Sequence, residues 1–330
     1  MLAIRKRLTR ALRSIRPKPV ILMYHRVAEP EIDPWGLAVS PSHFDEQMAL
    51  LRASRSVMPL PELVDRYRRR ALPSDAVAIT FDDGYADNLV EAKPILSRHG
   101  LTATLFLATG TVGSRTEYWW DELARLILLN SEGIDITVPV GADTMAVRIP
   151  PGGDTDAANW RTWTGPNTPR RAAYLEVWGK LRLRPISEIR ATMTLLRTKV
   201  SSRPLSEQDL PMSSAQLTEL LADGAIGLGG HTVNHPVLPS LSVDEQRREI
   251  ADGKAACEEM SDGGVAGFAY PYGDFDERSA QLARECGFEW ACSAEAKGLR
   301  NPENNFLWLP RVQVMDWSGE DFSRELREVL

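Results

Sequence analysis

Two hydrophobic rhythms alternate along the chain. Short, nearly continuous apolar runs occur at Val20–Tyr24, Ala76–Phe81, Ala103–Ala108, Ala225–Gly229, Val265–Tyr270, Trp290–Ser293 and Phe306–Val314, with a shorter one near Val57. Runs of this length, rich in Val, Ile, Phe and Ala, predict strands buried on both faces of a parallel sheet. Between them, apolar residues recur at helical spacing. Ser40-Pro41 opens one helix, with Phe44, Met48 and Leu51 on its inner face, and Pro61–Arg70 forms another. A helix from Tyr85 to His99 is stopped by Gly100, Ser213 caps one through Leu221, and Val243–Met260 and Glu277–Cys286 follow. Serine as cap with proline at the first helical position is a favourable start, and glycine a favourable stop. Strand and helix in alternation predict a parallel α/β fold.

The rhythm breaks at about Val112 and resumes at Ser213. In between, the pattern predicts a helix at Trp119–Leu129, strand-like runs at Ile134–Val138 and Met145–Ile149, and helices at Arg170–Leu183 and Ile186–Val200. We therefore divide the chain into a barrel of residues 19–111 and 213–330, an insertion of residues 112–212, and a basic segment 1–18. Five of the nine tryptophans fall in the insertion. Aromatic residues pack helical cores more often than they meet ligands. Trp160 and Trp163, in a Gly/Thr-rich stretch, are the expected exceptions.

Charge changes the picture mainly at the N-terminus. Arg5, Lys6, Arg7, Arg10, Arg13, Arg16 and Lys18 stand there without an acid, so the rest of the chain is more acidic than the net −6. That balance argues against a nucleic-acid partner. Leu2, Ile4, Leu8, Ala11, Leu12 and Ile15 form an apolar stripe among these bases. Residues 1–16 read either as a peripheral contact with an anionic membrane or as a helix docked on the core. Apolar content of 43% is ordinary for a globular protein, and no 18-residue apolar span is present. Charges interrupt any signal-like apolar region, and Cys257, Cys286 and Cys292 lack metal-site spacing and are odd in number. A cytoplasmic protein, with peripheral membrane contact as an option, is the expectation.

The chemistry-bearing residues sit just after predicted strands. Asp82 and Asp83 end the Ala76 run and are followed by Gly84; His25 follows Tyr24; His231 and His235 follow Gly229-Gly230; Tyr272 follows Tyr270-Pro271. Asp and Gly are also ordinary turn residues, and an isolated HxxxH is a weak signal. Their shared placement decides for function, because the C-terminal strand ends of an α/β barrel gather at one face. Histidines at i and i+4 point the same way if the backbone makes one helical turn. The glycine pair before them leaves room for close backbone approach. Two histidines and a carboxylate make a three-ligand site with an open position, and the second carboxylate can take a proton from water. The set reads as metal-assisted hydrolysis.

TFDDGY, HTVNHP and YPYG resemble the three leading motifs of the polysaccharide deacetylase family, the NodB-homology carbohydrate esterases of family 4, over residues 19–111 and 213–315. The resemblance implies an irregular (β/α)7 barrel of the NodB-homology type with a mostly helical insertion. It implies Asp83, His231 and His235 as ligands of zinc or another divalent transition metal. It also implies Asp82 as general base and the Tyr272 N–H as an oxyanion donor. Many members carry an arginine just before the Pro-Tyr motif, where this chain has Ala269 and Tyr270; Arg311 is the candidate replacement as partner of Asp82. The late motif normally supplies a histidine as acid, and Leu307–Val314 has none. Of five histidines, two are the implied ligands and His43 and His99 lie on or beside helices, which leaves His25. A histidine after an early strand resembles the poly-N-acetylglucosamine deacetylase branch of the family.

The expected function is removal of N-acetyl groups from an amino-sugar glycan or its precursor by a metal-activated water. The alternatives are a glycan-binding protein with impaired catalysis and a hydrolase of another amide.

Overall fold

The structure, a computed structural model, describes residues 17–140, 143–200, 207–261, 263–299 and 305–329. The basic amphipathic stretch 1–16 lies outside the described residues. No helix among the described residues is long and apolar enough to cross a membrane.

Seven strands run in line through the eight-stranded main sheet: β1 (Val20–Tyr24), β2 (Ala76–Asp83), β3 (Ala103–Leu107), β4 (Ile226–Gly230), β5 (Gly267–Ala269), β6 (Trp290–Cys292) and β7 (Val312–Gln313). Their spatial order is β6-β5-β4-β3-β2-β1-β7, with every neighbouring pair parallel. The eighth, the short strand Ser56–Val57 expected near Val57, pairs in parallel with the start of β2. The sheet closes irregularly through the stretch that begins with the last predicted run. Leu309 pairs with Cys292 on one edge, and three residues later Val312 pairs with Leu22 of β1 on the other. Only Val312–Gln313 of the predicted Phe306–Val314 strand is regular, because this stretch has to cross from one sheet edge to the other.

Register fixes where the chemistry lies. Tyr24 stands beside Phe81, Asp83 beside Leu107, Leu107 beside Gly230, and Ala269 beside Cys292. The residues that follow these strands therefore collect at one rim. Inside, all eight residues of β2 are buried, the two carboxylates included. The acids thus belong to the strand itself rather than to the turn after it.

Most predicted helices are present within a residue or two, and Ser40 and Ser213 cap theirs as expected. The helix after Tyr85 differs, since it opens as a π-helical turn, Asn88–Ala92, before the α-helix Lys93–His99. π-Turns concentrate at functional sites. Here the turn brings the Asn88 side chain to the carbonyl of His25, 2.9 Å away. A C-terminal helix, Gly319–Val329, was not expected from the sequence pattern.

Residues 118–200 build a second hydrophobic core. Helices Trp119–Leu128, Pro169–Leu181 and Ile186–Arg197 pack with an antiparallel hairpin of Ile134–Val140 and Asp143–Ile149. Trp160, expected near a ligand, is instead 2% exposed in this core, with its indole N–H on the Gly165 carbonyl. Trp163 is 59% exposed.

Candidate active site

Successive strand residues point to opposite faces, yet Asp82 and Asp83 both line one pocket at the barrel rim. The cause is the backbone of Asp83, whose φ of 75° is left-handed, and Gly84 continues the turn at φ 106°. Five non-glycine residues among those described have positive φ. Four of them, Asp83, Thr232, His235 and Tyr272, belong to this site, and only Arg70 lies elsewhere. Each such residue costs on the order of 1–3 kcal/mol, and strain of this kind persists where surrounding structure enforces it.

The histidine motif does not make the expected helical turn. Residues 231–235 are irregular, with Thr232 at φ 66° and His235 at φ 56°. Glu249 holds this loop by accepting from the backbone N–H groups of Val233 and Asn234 and from the Asn234 side chain. The two imidazoles nevertheless converge, 4.8 Å apart between ring centres. The glycine pair makes room for rings more than for backbone, although the Gly267 carbonyl oxygen does come within 3.3 Å of the Cβ position at Gly229. A Cβ at Gly229 would stand 2.5 Å from the Phe106 ring and one at Gly230 2.7 Å from the Phe288 ring, so these rings occupy the space.

Asp83, His231 and His235 are buried, and each offers one ligand atom within 4.8 Å of the others. Two donors bonded at about 2.1 Å to one tetrahedral ion stand about 3.4 Å apart. Asp83 Oδ1 lies 3.5 Å from His231 Nε2 and 3.3 Å from His235 Nε2. No hydrogen bond is made by that buried oxygen among the described residues. An orphaned buried carboxylate oxygen is costly in an apolar interior and ordinary beside a cation. The donor set and spacing fit one divalent metal.

Charge in the cluster follows from its surroundings. Burial would raise the Asp83 carboxyl, but His235 and His231 outweigh it and hold the group down at about 2. Burial lowers His235 to about 3, which leaves a neutral imidazole, the form that binds metals. His231 is desolvated too, yet the Asp83 and Asp82 carboxylates beside it raise it overall. Its Nδ1 lies 2.7 Å from the Ala269 carbonyl, so Nδ1 carries the proton and Nε2 faces the cluster.

Beside this cluster, Arg311 grips Asp82 with both arms, at 2.6 and 2.7 Å. The guanidinium is 1% exposed, and its remaining donors reach the Ser293 carbonyl and Thr80 Oγ1. Burial alone would raise the Asp82 carboxyl; Arg311 reverses that and holds it below the ordinary carboxylate range. His25 lines the same pocket, half-buried, and Tyr272 lies 4.5 Å from the His235 ring in a turn between Pro271 and Gly273. All seven residues singled out from the sequence thus meet around one cavity of about 220 Å³.

Three further residues on this cavity escaped the sequence reading. Trp35 and Trp178 stack at 4.1 Å, and Arg182 lies over Trp178 and Tyr272 while pairing with Asp274 at 2.9 Å. Trp178 and Arg182 stand four apart, so their common helical face was readable, but nothing in the sequence tied that face to Trp35.

The chain is similar to known proteins in sequence and in fold. The family model described as polysaccharide deacetylase matches residues 69–137 and 187–291, together more than half of the chain. YxkH of Bacillus subtilis (strain 168), provisionally named a polysaccharide deacetylase, is 31% identical over 121 residues. That alignment covers 35% of this chain and only 42% of the relative's length. The fold resembles that of the Streptococcus pyogenes deacetylase PplD in complex with acetate, with a TM-score of 0.60 at 19% identity, covering 94% of this chain and 99% of that one. It also resembles IcaB from Ammonifex degensii, with a TM-score of 0.56 at 19% identity, covering 94% and 97%.

Proposed function

Because this chain belongs to the polysaccharide deacetylase family, we propose that it is a metal-dependent hydrolase that removes N-acetyl groups from an amino-sugar glycan. The observation that carries the proposal is the convergence of Asp83, His231 and His235 at metal-ligand spacing beside an ionised Asp82 locked by Arg311. Asp83, His231 and His235 would hold the ion, with zinc the first choice and another divalent transition metal the second. When bound, it acidifies water and polarises the amide carbonyl.

The chain's own residues do the rest. Asp82 accepts the proton of the attacking water. A carboxylate has about four lone-pair positions, so two remain after Arg311 has taken its pair. Arg311 keeps the group ionised and in one orientation, as a base requires. The Tyr272 backbone N–H donates to the carbonyl oxygen as negative charge develops on it. His25 gives a proton to the departing nitrogen, releasing a free amine and acetate. The N-acetyl sugar occupies the cavity beside the packed pair of Trp35 and Trp178. The division into a barrel (19–111 and 213–330) and an insertion (112–212) belongs to the same proposal, supported by a second core built mostly of residues 118–200, which Tyr85 of the barrel joins.

Acetate release from N-acetylated chito-oligosaccharides tests this reading, using purified protein stripped by chelator and reloaded with zinc. We expect release that stops on stripping and returns with zinc. Absence of release from a panel of N-acetylated glycans, or release indifferent to chelation, would contradict it.

A further inference from the structure

The two candidate ligand histidines are held in different ways. A metal-binding histidine usually donates its second ring nitrogen to a carbonyl or carboxylate, which fixes the ring. His231 does this through Ala269. His235 does not, since its Nδ1 is buried and has no hydrogen-bond partner among the described residues. Aromatic rings surround it instead. Trp120 lies 4.8 Å away, Tyr272 4.5 Å and His231 4.8 Å, all between ring centres.

Trp120 is itself anchored. Its indole N–H donates to the Tyr85 hydroxyl at 2.9 Å, and that hydroxyl donates to Asp121 Oδ2 at 2.7 Å. Tyr118 stacks on the Trp120 indole at 4.8 Å and packs at a tilt on Tyr85 at 4.4 Å, and its hydroxyl donates to the Asp83 carbonyl at 3.0 Å. Trp119–Leu128 is thus a helix whose first turn and preceding residue reach two of the three proposed ligands. Resting on the metal reading above, we infer that Trp120, anchored by Tyr85 and Asp121, is a positioning residue that orients His235 by ring packing in place of a hydrogen bond. The segment 112–212 would then help to determine metal affinity as well as the shape of the pocket.

Zinc affinity by chelator competition tests the inference without any assay of activity. Trp120→Leu should weaken zinc binding by about 10–100-fold, the loss typical when a ligand's outer support is removed. Trp160→Leu makes the same change of side chain in the same core, but packs on Tyr174 and Arg171. It should leave affinity within a few-fold of wild type. Trp120→Phe, which keeps a ring beside His235, should fall between them. Equal losses in Trp120→Leu and Trp160→Leu, or no loss in the former, would overturn the positioning role. If Trp120→Leu does not fold, Tyr85→Phe and Trp120→Phe decide. Both remove the indole–phenol hydrogen bond, and wild-type affinity in both would overturn the role. Wild-type protein that binds no zinc would instead remove the metal reading itself, and this inference with it.

Discussion

The barrel rim and the segment 112–212 meet at one pocket but supply it differently. The rim contributes charged and titratable groups, namely carboxylates, imidazoles and a guanidinium, carried on strand ends and on backbone forced into left-handed turns. The segment contributes rings and one cation, Trp120, Trp178 and Arg182, carried on regular helices or their caps. On the rim the costs are local strain and burial of charge. In the segment the aromatic residues lower the free energy of the fold by packing and shape the pocket at the same time. Changes at the rim should therefore act on turnover and on the charged core, whereas changes in the segment should act on binding.

The largest expected effect lies on the rim. His25→Asn should lower turnover by about 10²–10⁴-fold with bound zinc retained. Near-normal turnover in the metal-loaded variant would move the acid to another residue. Next is Arg311→Met, which leaves Asp82 buried without its partner. Breaking a buried pair from one side costs about 3–5 kcal/mol, which urea denaturation would read as a lower midpoint with an unchanged slope. A variant as stable as wild type would mean that the pair is not a fixed feature of the fold.

The segment should respond more gently. Trp178→Ala removes one wall of the stack on Trp35, and aromatic contacts of this kind are worth about 0.5–1.5 kcal/mol. We expect KM for an N-acetylated oligosaccharide to rise up to about tenfold with kcat little changed. A loss confined to kcat would place Trp178 with the reacting groups and blur the contrast between the two regions.

An effect seen only as a slope with pH concerns the seam between them. Burial pushes the Asp121 carboxyl up to about 7 against the opposing pull of Arg26 and Tyr85. An acid with a raised folded pKa adds stability below its ordinary range near 3.8, and that stability is lost as pH rises towards 7. One such group contributes at most about 1.4 kcal/mol per pH unit. Asp121→Asn cannot titrate, so its stability should fall less steeply than wild type between pH 4 and 7. Parallel profiles would show that Asp121 is not the group responsible.

Legibility in the sequence followed the same division. Six of the seven rim residues could be read because chemistry-capable side chains stood directly after apolar runs, and parallel strands bring such positions together whatever joins them; Arg311 came from the family resemblance alone. The backbone that aims them was not readable. Nothing about Thr232, a β-branched residue, announces a left-handed conformation, so the histidine motif was expected to be helical. In the segment, Trp160 looked ligand-facing among its Gly/Thr neighbours but closes a core with Tyr174, whereas Trp178 looked like core and lines the pocket. Which face of a helix meets a ligand depends on partners distant in sequence, such as Trp35, and helical periodicity records only that a face is apolar.

The central claim is that Asp83, His231 and His235 hold a metal ion on which hydrolysis depends. Elemental analysis of wild type and Asp83→Ala, purified alike and dialysed against trace zinc, tests it most directly. The account predicts one divalent ion per chain in the wild type and essentially none in the variant, with both proteins folded by circular dichroism. Full metal content in folded Asp83→Ala would contradict it.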